Sequence, residues 1–259
     1  MGRRPLFLDH GRPIMENLLG AGSLSRLDLM GREGSQLSTL VAYCADIGSV
    51  RRRNFGWARM PELNPDIVSS STDIQELVNS ISSDLEEGSK VALGFECPIF
   101  LPVPRDSNQI ASKRLFEEDR PWSAGAGAAA MATGIVEIVW ILDNIRKNLG
   151  SPVSPFLSWP SFRAASAGMF LWEAFVTKQP AEKKLVGNPH VEDATRALRG
   201  FASFATGTPN VSYDVVEPAV VSLAGAALLR TGWSTDLSLL DQPCVVISDK
   251  GVIFVPAFQ

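Results

Sequence analysis

At 259 residues, with 45% hydrophobic and 20% charged content, the chain is long enough for one sizeable core, and its composition is that of an ordinary soluble globular protein. A net charge of −4 with a pI near 5.3 excludes a global basic field, so any contact with nucleic acid has to rest on a local patch. Cys44, Cys97 and Cys244 are widely spaced and only His10 and His190 are available, which excludes a zinc site, leaves almost no room for a histidine-based triad, and fits a reducing, cytoplasmic setting.

Met1 to Gln36 shows no sustained period and carries scattered glycines, so 1–36 reads as a poorly packed N-terminal arm and 37–259 as a single domain. Arg3 and Arg4 precede apolar portions too broken for a signal peptide. Leu40 to Ala45 is short, apolar and partly β-branched, the pattern of a buried strand ending on Asp46. Gly48 permits a turn, and Asn54 to Met60 returns as a second strand. Pro61 to Ser70 is loop-like, with room for one short edge strand. Thr72 then opens an amphipathic helix, with Gln75 completing a capping box, an apolar stripe through Ile74, Leu77, Val78, Ile81 and Leu85, and Gly88 at its end.

Lys90 to Glu96 is a second buried strand ending on an acid, and the prolines of CPIFLPVP bar a regular central strand after it. Pro104 to Trp122 reads as a long surface excursion of the kind that borders a site. Ser123 to Leu149 is helical; its apolar length would suit a membrane span, but Glu137 and the many small residues favour a buried helix and no membrane. Ala167 to Val176 reads as a long strand containing Glu173. Val191 to Phe204 is a helix with Asp193 near its start, Val215 to Arg230 an apolar buried helix, and Pro243 to Pro256 a hairpin turning at Asp249-Lys250-Gly251. The sum is an α/β fold: a mixed sheet that opens with an antiparallel hairpin and carries helices on both faces.

The segment ADIGSVRRRNFGWA, with Asp46, Gly48, Ser49, Gly56, Trp57 and Ala58, resembles the opening of ribonuclease H-like proteins, in the form seen in Holliday-junction resolvases and related predicted nucleases. Glu96-Cys97-Pro98 is similar to the acid-ended central strand of that superfamily, and Glu217 or Asp214, ahead of AVVSLAGAALL, to its late acid. The likeness runs from about Leu40 to the C-terminus as an order of elements. It implies a ribonuclease H-like mixed sheet and a metal-dependent, nuclease-like phosphodiester hydrolase. Asp46, Glu96 and Glu217 would be its catalytic carboxylates, with Asp214 a further candidate ligand, holding two Mg²⁺ or Mn²⁺ ions. Such a trio has a direct physical reason: one ion activates water while the other stabilises the leaving oxygen, and both need carboxylate oxygens. Arg51, Arg52 and Arg53, with Ser49, would meet the phosphates of a nucleic acid or another phosphodiester.

Each residue also has a structural reading. Asp46 suits an Asx-type turn, Glu96 a strand end, Asp214 to Glu217 a helix start, and the arginines a solvated turn; Glu173 and Asp193 rank lower as ligands, with structural roles preferred. The acidic pI, and Glu217 standing before Pro218 where most active members have an aspartate pair, keep open a non-catalytic binding or regulatory domain on the same scaffold. Asp-x-Gly-Ser before a hairpin also resembles the phosphate-binding opening of sugar kinases and actin-like ATPases, which normally need two such domains. Gly125-Ala-Gly127 follows no strand and is no dinucleotide-binding turn, whereas Trp122 beside a small-residue helix leaves room for a planar group.

Overall fold

The computed structural model describes residues 38–114, 116–117, 121–176, 187–207 and 219–248, together with the backbone of 251–254. The expected N-terminal arm, Asp214 and Glu217 lie outside the described residues. The chain divides between Gln36 and Leu37, and all that is described belongs to the second unit.

Leu40–Asp46 forms β1, and its apolar residues on both sides of the pleat mark a strand covered on two faces. β2 (Gly56–Pro61) returns antiparallel with Gly56 opposite Asp46, and β3 (Ser69–Ser71) is the short edge strand that pairs with β2. The connection from β1 is a 3-10 turn, Val50–Arg52, with Arg53 in the left-handed region. Gly48 is required there for room rather than for an unusual dihedral, since a Cβ on it would lie 1.8 Å from the Asn54 carbonyl oxygen.

Helix α1 (Ile74–Glu86) starts one residue later than the capping box implies: its N-cap is Asp73, whose carboxylate accepts from the amides of Gln75 and Glu76. β4 (Lys90–Phe95) then lies parallel to β1, with Ala45 level with Phe95. As the prolines foretell, β5 (Phe100–Pro102) leaves the main sheet and pairs with β8 (Val220–Ser222) in a separate ribbon. The apolar segment expected to be one helix from Val215 is therefore a strand followed by a shorter helix, α5 (Leu223–Arg230), capped by the Ser222 hydroxyl.

Helix α2 (Gly125–Asn148) is long and apolar enough to cross a membrane by length and composition. Within the fold it is only partly buried: Gly134, Ile138, Ile141, Leu142 and Ile145 face inward, while Val136 and Trp140 are exposed. β6 (Pro155–Phe156) and α3 (Trp159–Ala164) lead into β7 (Gly168–Phe175), which is parallel to β4. After α4 (Pro189–Thr206), β9 (Val246–Ser248) and β10 (Gly251–Phe254) close the sheet as the expected hairpin.

The main sheet runs β10-β9-β7-β4-β1-β2-β3, with β6 paired to β7. Alternation along the strands sorts the core into two layers. Val41, Tyr43 and Ala45 of β1, with Val91, Leu93 and Phe95 of β4, pack with α1, α2 and α5; Ala42, Cys44 and Ala92 pack with α3 and α4 on the opposite face. On the first face Arg59 binds Asp84 through Nε and Nη2 at 2.8 and 2.6 Å, and the buried Tyr43 hydroxyl donates to the same carboxylate, pinning α1 to the first two strands.

Candidate metal centre

The pleat decides which acids meet. Asp46 continues the parity of Ala42 and Cys44 and so faces the α4 layer. Glu96, one residue beyond the end of the parallel neighbour β4, shares that parity. Their partner from α4 is Asp193, and one carboxylate oxygen from each of Asp46, Glu96 and Asp193 lies within 4.8 Å of the other two. The site therefore sits at the carboxyl ends of parallel strands, where open α/β sheets leave a crevice for ligands.

Asp193 comes into reach because α4 docks by its first turn. Asn188 caps the helix by accepting from the His190 amide, and Pro189 occupies the first turn, where a missing N–H costs nothing. The helix start then presses on β2 at Gly56: a Cβ there would lie 2.6 Å from the Val191 nitrogen and 2.7 Å from the His190 carbonyl carbon. His190 and Asp193, three apart on the helix, consequently face β1 together. The His190 Nδ1 lies 2.6 Å from the Asp46 Oδ2, and since a carboxylate only accepts, this nitrogen carries the proton. Asp193 is bound in turn by Arg196, one turn along the helix.

A further acid approaches from the opposite layer. Glu137 of α2 accepts a hydrogen bond from the Gly48 backbone; burial, with the Asp46 charge adding to it, pushes its carboxyl up to about 7. One of its oxygens, Oε2, is buried with no hydrogen-bond partner.

Glu173 does not join the cluster. It is level with Phe95 and thus faces the α2 layer, where Arg114 grips it through Nη2 to Oε1 at 2.6 Å and Nη1 to Oε2 at 2.9 Å. Burial pushes the Glu173 carboxyl up and Arg114 pulls it back, while burial alone would lower the guanidinium and the two surrounding acids more than reverse that. The structural role preferred for Glu173 is the one observed.

Of the residues singled out in the sequence, the structure brings Asp46 and Glu96 together and adds Asp193, which had ranked below Glu217. Arg51, Arg52 and Arg53 form the exposed turn after β1, and Ser49 starts it, its carbonyl accepting from the amides of Arg52 and Asn54. His190 was discounted on histidine number alone. The readable signal was its spacing from Asp193 at a capped helix start.

Three clustered carboxylates repel one another and raise the cost of ionisation unless a cation intervenes. An all-oxygen set of this kind suits hard divalent ions such as Mg²⁺ or Mn²⁺. Comparisons with protein-family models, with curated proteins and with solved structures find no match to this chain.

Proposed function

We propose that the chain is a ribonuclease H-like, metal-dependent phosphodiester hydrolase in which Asp46, Glu96 and Asp193 hold Mg²⁺ or Mn²⁺. The observation that carries the reading is the convergence of oxygens from these three residues within 4.8 Å. Support also comes from the order of parts: a hairpin whose first strand ends in an acid, a parallel neighbour ending in another, and a late helix bringing a third. This is the order of the superfamily that the ADIGSVRRRNFGWA segment resembles, with Asp193 in the role first assigned to Glu217 or Asp214.

Bound divalent ions would supply an activated water and charge stabilisation at the leaving oxygen. The chain's own residues orient the parts. His190 fixes the rotamer of Asp46, Arg196 fixes Asp193, and Glu137 offers a carboxyl that exchanges a proton near neutral pH beside Asp46. Arg51 to Arg53 present a cationic turn to phosphate.

The test pairs cation binding with cleavage. Asp46→Asn and Asp193→Asn should each lower Mn²⁺ affinity by about 100-fold or more and abolish the Mn²⁺-dependent cleavage that wild type shows within a panel of labelled single-stranded, duplex and branched oligonucleotides. Wild-type activity that survives both substitutions would remove the assignment. One observation favours a second reading, a non-catalytic scaffold: Asp46 already has a hydrogen-bond donor of its own in His190, and Asp193 a cation in Arg196. Titration calorimetry that finds no divalent binding at millimolar concentration would decide for it.

A further inference from the structure

A cavity of about 440 Å³ opens at the carboxyl ends of β4 and β7, within the size range of clefts that hold small organic molecules, and Glu96 lines it as well as belonging to the acid cluster. One wall is Trp122, and its position is fixed from two sides. Its indole Nε1 donates to the Ser112 carbonyl at 2.9 Å, and its backbone amide donates to Glu117 Oε2 at 3.1 Å. Glu117 is itself buried and held by Arg114 Nε at 2.7 Å, and Arg114 is clamped to Glu173. The segment that composition marks as a surface excursion is thus bolted into the core by a buried guanidinium between two carboxylates. The pocket wall is built before any ligand arrives.

The cavity is also lined by the first turns of α2, where Ala124, Gly125, Ala126 and Gly127 carry at most a methyl group, and the Trp122 backbone packs so closely on Gly127 that a Cβ there would lie 3.0 Å from the Trp122 Cα. Ala124 has no side-chain acceptor for the amides of that turn; the Ala124 and Gly127 amides donate to the Pro121 and Ala124 carbonyls, so Gly125 and Ala126 carry the first-turn N–H groups that a ligand can meet. The acids Glu117 and Glu173 also line the cavity, and both pair with the single guanidinium of Arg114. The cavity thus joins an aromatic side chain, small apolar groups and Glu96 of the acid cluster in one lining.

We propose that this cavity receives the nucleobase of a nucleotide whose phosphate lies at the acid cluster, with the ring in the space that Trp122 and the start of α2 line. The inference rests on the phosphodiester reading for what lies at Glu96. A flat heteroaromatic ring offers faces for apolar walls and carbonyl or ring-nitrogen acceptors for the amides, and stacking on an aromatic side chain tolerates any base. A base can enter only when unstacked, so the substrate is single-stranded, frayed or mononucleotide, and an intact duplex is excluded.

The experiment titrates the full chain, with and without Mn²⁺, with the four ribonucleoside 5′-monophosphates and with ribose 5-phosphate, which lacks the base. In wild type at least one monophosphate should bind ten-fold or more tightly than ribose 5-phosphate. Ala126→Phe, which adds a ring at a residue of the cavity lining and leaves the Arg114 clamp intact, should close that gap while leaving Mn²⁺ affinity unchanged. Trp122→Ala should narrow it. A single-stranded decanucleotide that binds far more tightly than the monophosphate assigns the ring to a nucleic acid, and equal affinity assigns it to a free nucleotide. No preference for monophosphate over ribose 5-phosphate, or a preference that neither substitution alters, overturns the proposal even if Mn²⁺ binds. A preference that Ala126→Phe abolishes in a chain that binds no Mn²⁺ keeps the base pocket and overturns the metal reading instead.

Discussion

Asp46 and Glu173 are both acids at or near the ends of central strands, yet the pleat turns them to opposite faces, and that parity separates an acid in an open cluster from one sealed by Arg114. The same reasoning makes Asp46 and Glu96 legible from sequence: each ends a short apolar run, and strands that end level bring their last side chains together. Asp193 was not legible in that way, because its place depends on the angle at which α4 meets β2. Glu137 belongs to the residue scale too. Its carboxyl is raised from 4.5 to about 7 chiefly by burial, so the fold holds a proton that the unfolded chain has released between those values. Stability therefore falls as pH rises through that window, and the penalty is complete above it. In chelator, Glu137→Gln should be more stable than wild type by about 1–2 kcal/mol at pH 8, after allowance for water around this half-buried side chain, and equal to it near pH 4.5. Urea unfolding across pH measures the difference; a gap that does not vary with pH would contradict it.

Elements meet through contacts that composition hides. The amphipathic stripe of α1 was readable, with its start placed one residue early, and so was the closing hairpin, since both are written in local periods and turn residues. The ribbon of β5 and β8 was not, because Val220 to Ser222 takes its conformation from a partner far away in the chain. The docking of α4 makes a sharp prediction. Gly56→Ala would place a Cβ 2.6 Å from the Val191 nitrogen, so the first turn must retreat and carry His190 and Asp193 away from Asp46. Mn²⁺ affinity should fall at least ten-fold while β1 and β4 remain paired, as seen by amide exchange protection of Cys44 and Leu93. The Arg114 clamp makes another. Arg114→Met leaves Glu117 and Glu173 buried without their cation and should cost about 3–5 kcal/mol in denaturant unfolding. A loss under 1 kcal/mol would mean that water reaches both carboxylates.

For the whole molecule, the acidic balance sets how a polyanion can approach. On the proposed reading, with a net charge of −4, contact with an oligonucleotide would depend on bound divalent ions and on the cationic turn at Arg51 to Arg53. If that turn supplies three phosphate contacts, the logarithmic dependence of single-strand affinity on monovalent salt should have a slope of about −2, and replacing the three arginines by alanine should flatten it. A steep slope unchanged by the replacement would locate the contact elsewhere.

Asp46 is laid down near the beginning of the described chain, whereas Asp193 arrives on its second-to-last helix. A copy that stalls on the ribosome before α4 emerges carries two of the three acids and no means of gripping an ion, so on this reading it is inert toward any nucleic acid nearby. On the proposed reading, cleaving power would be withheld until translation has passed α4 and that helix has settled against Gly56.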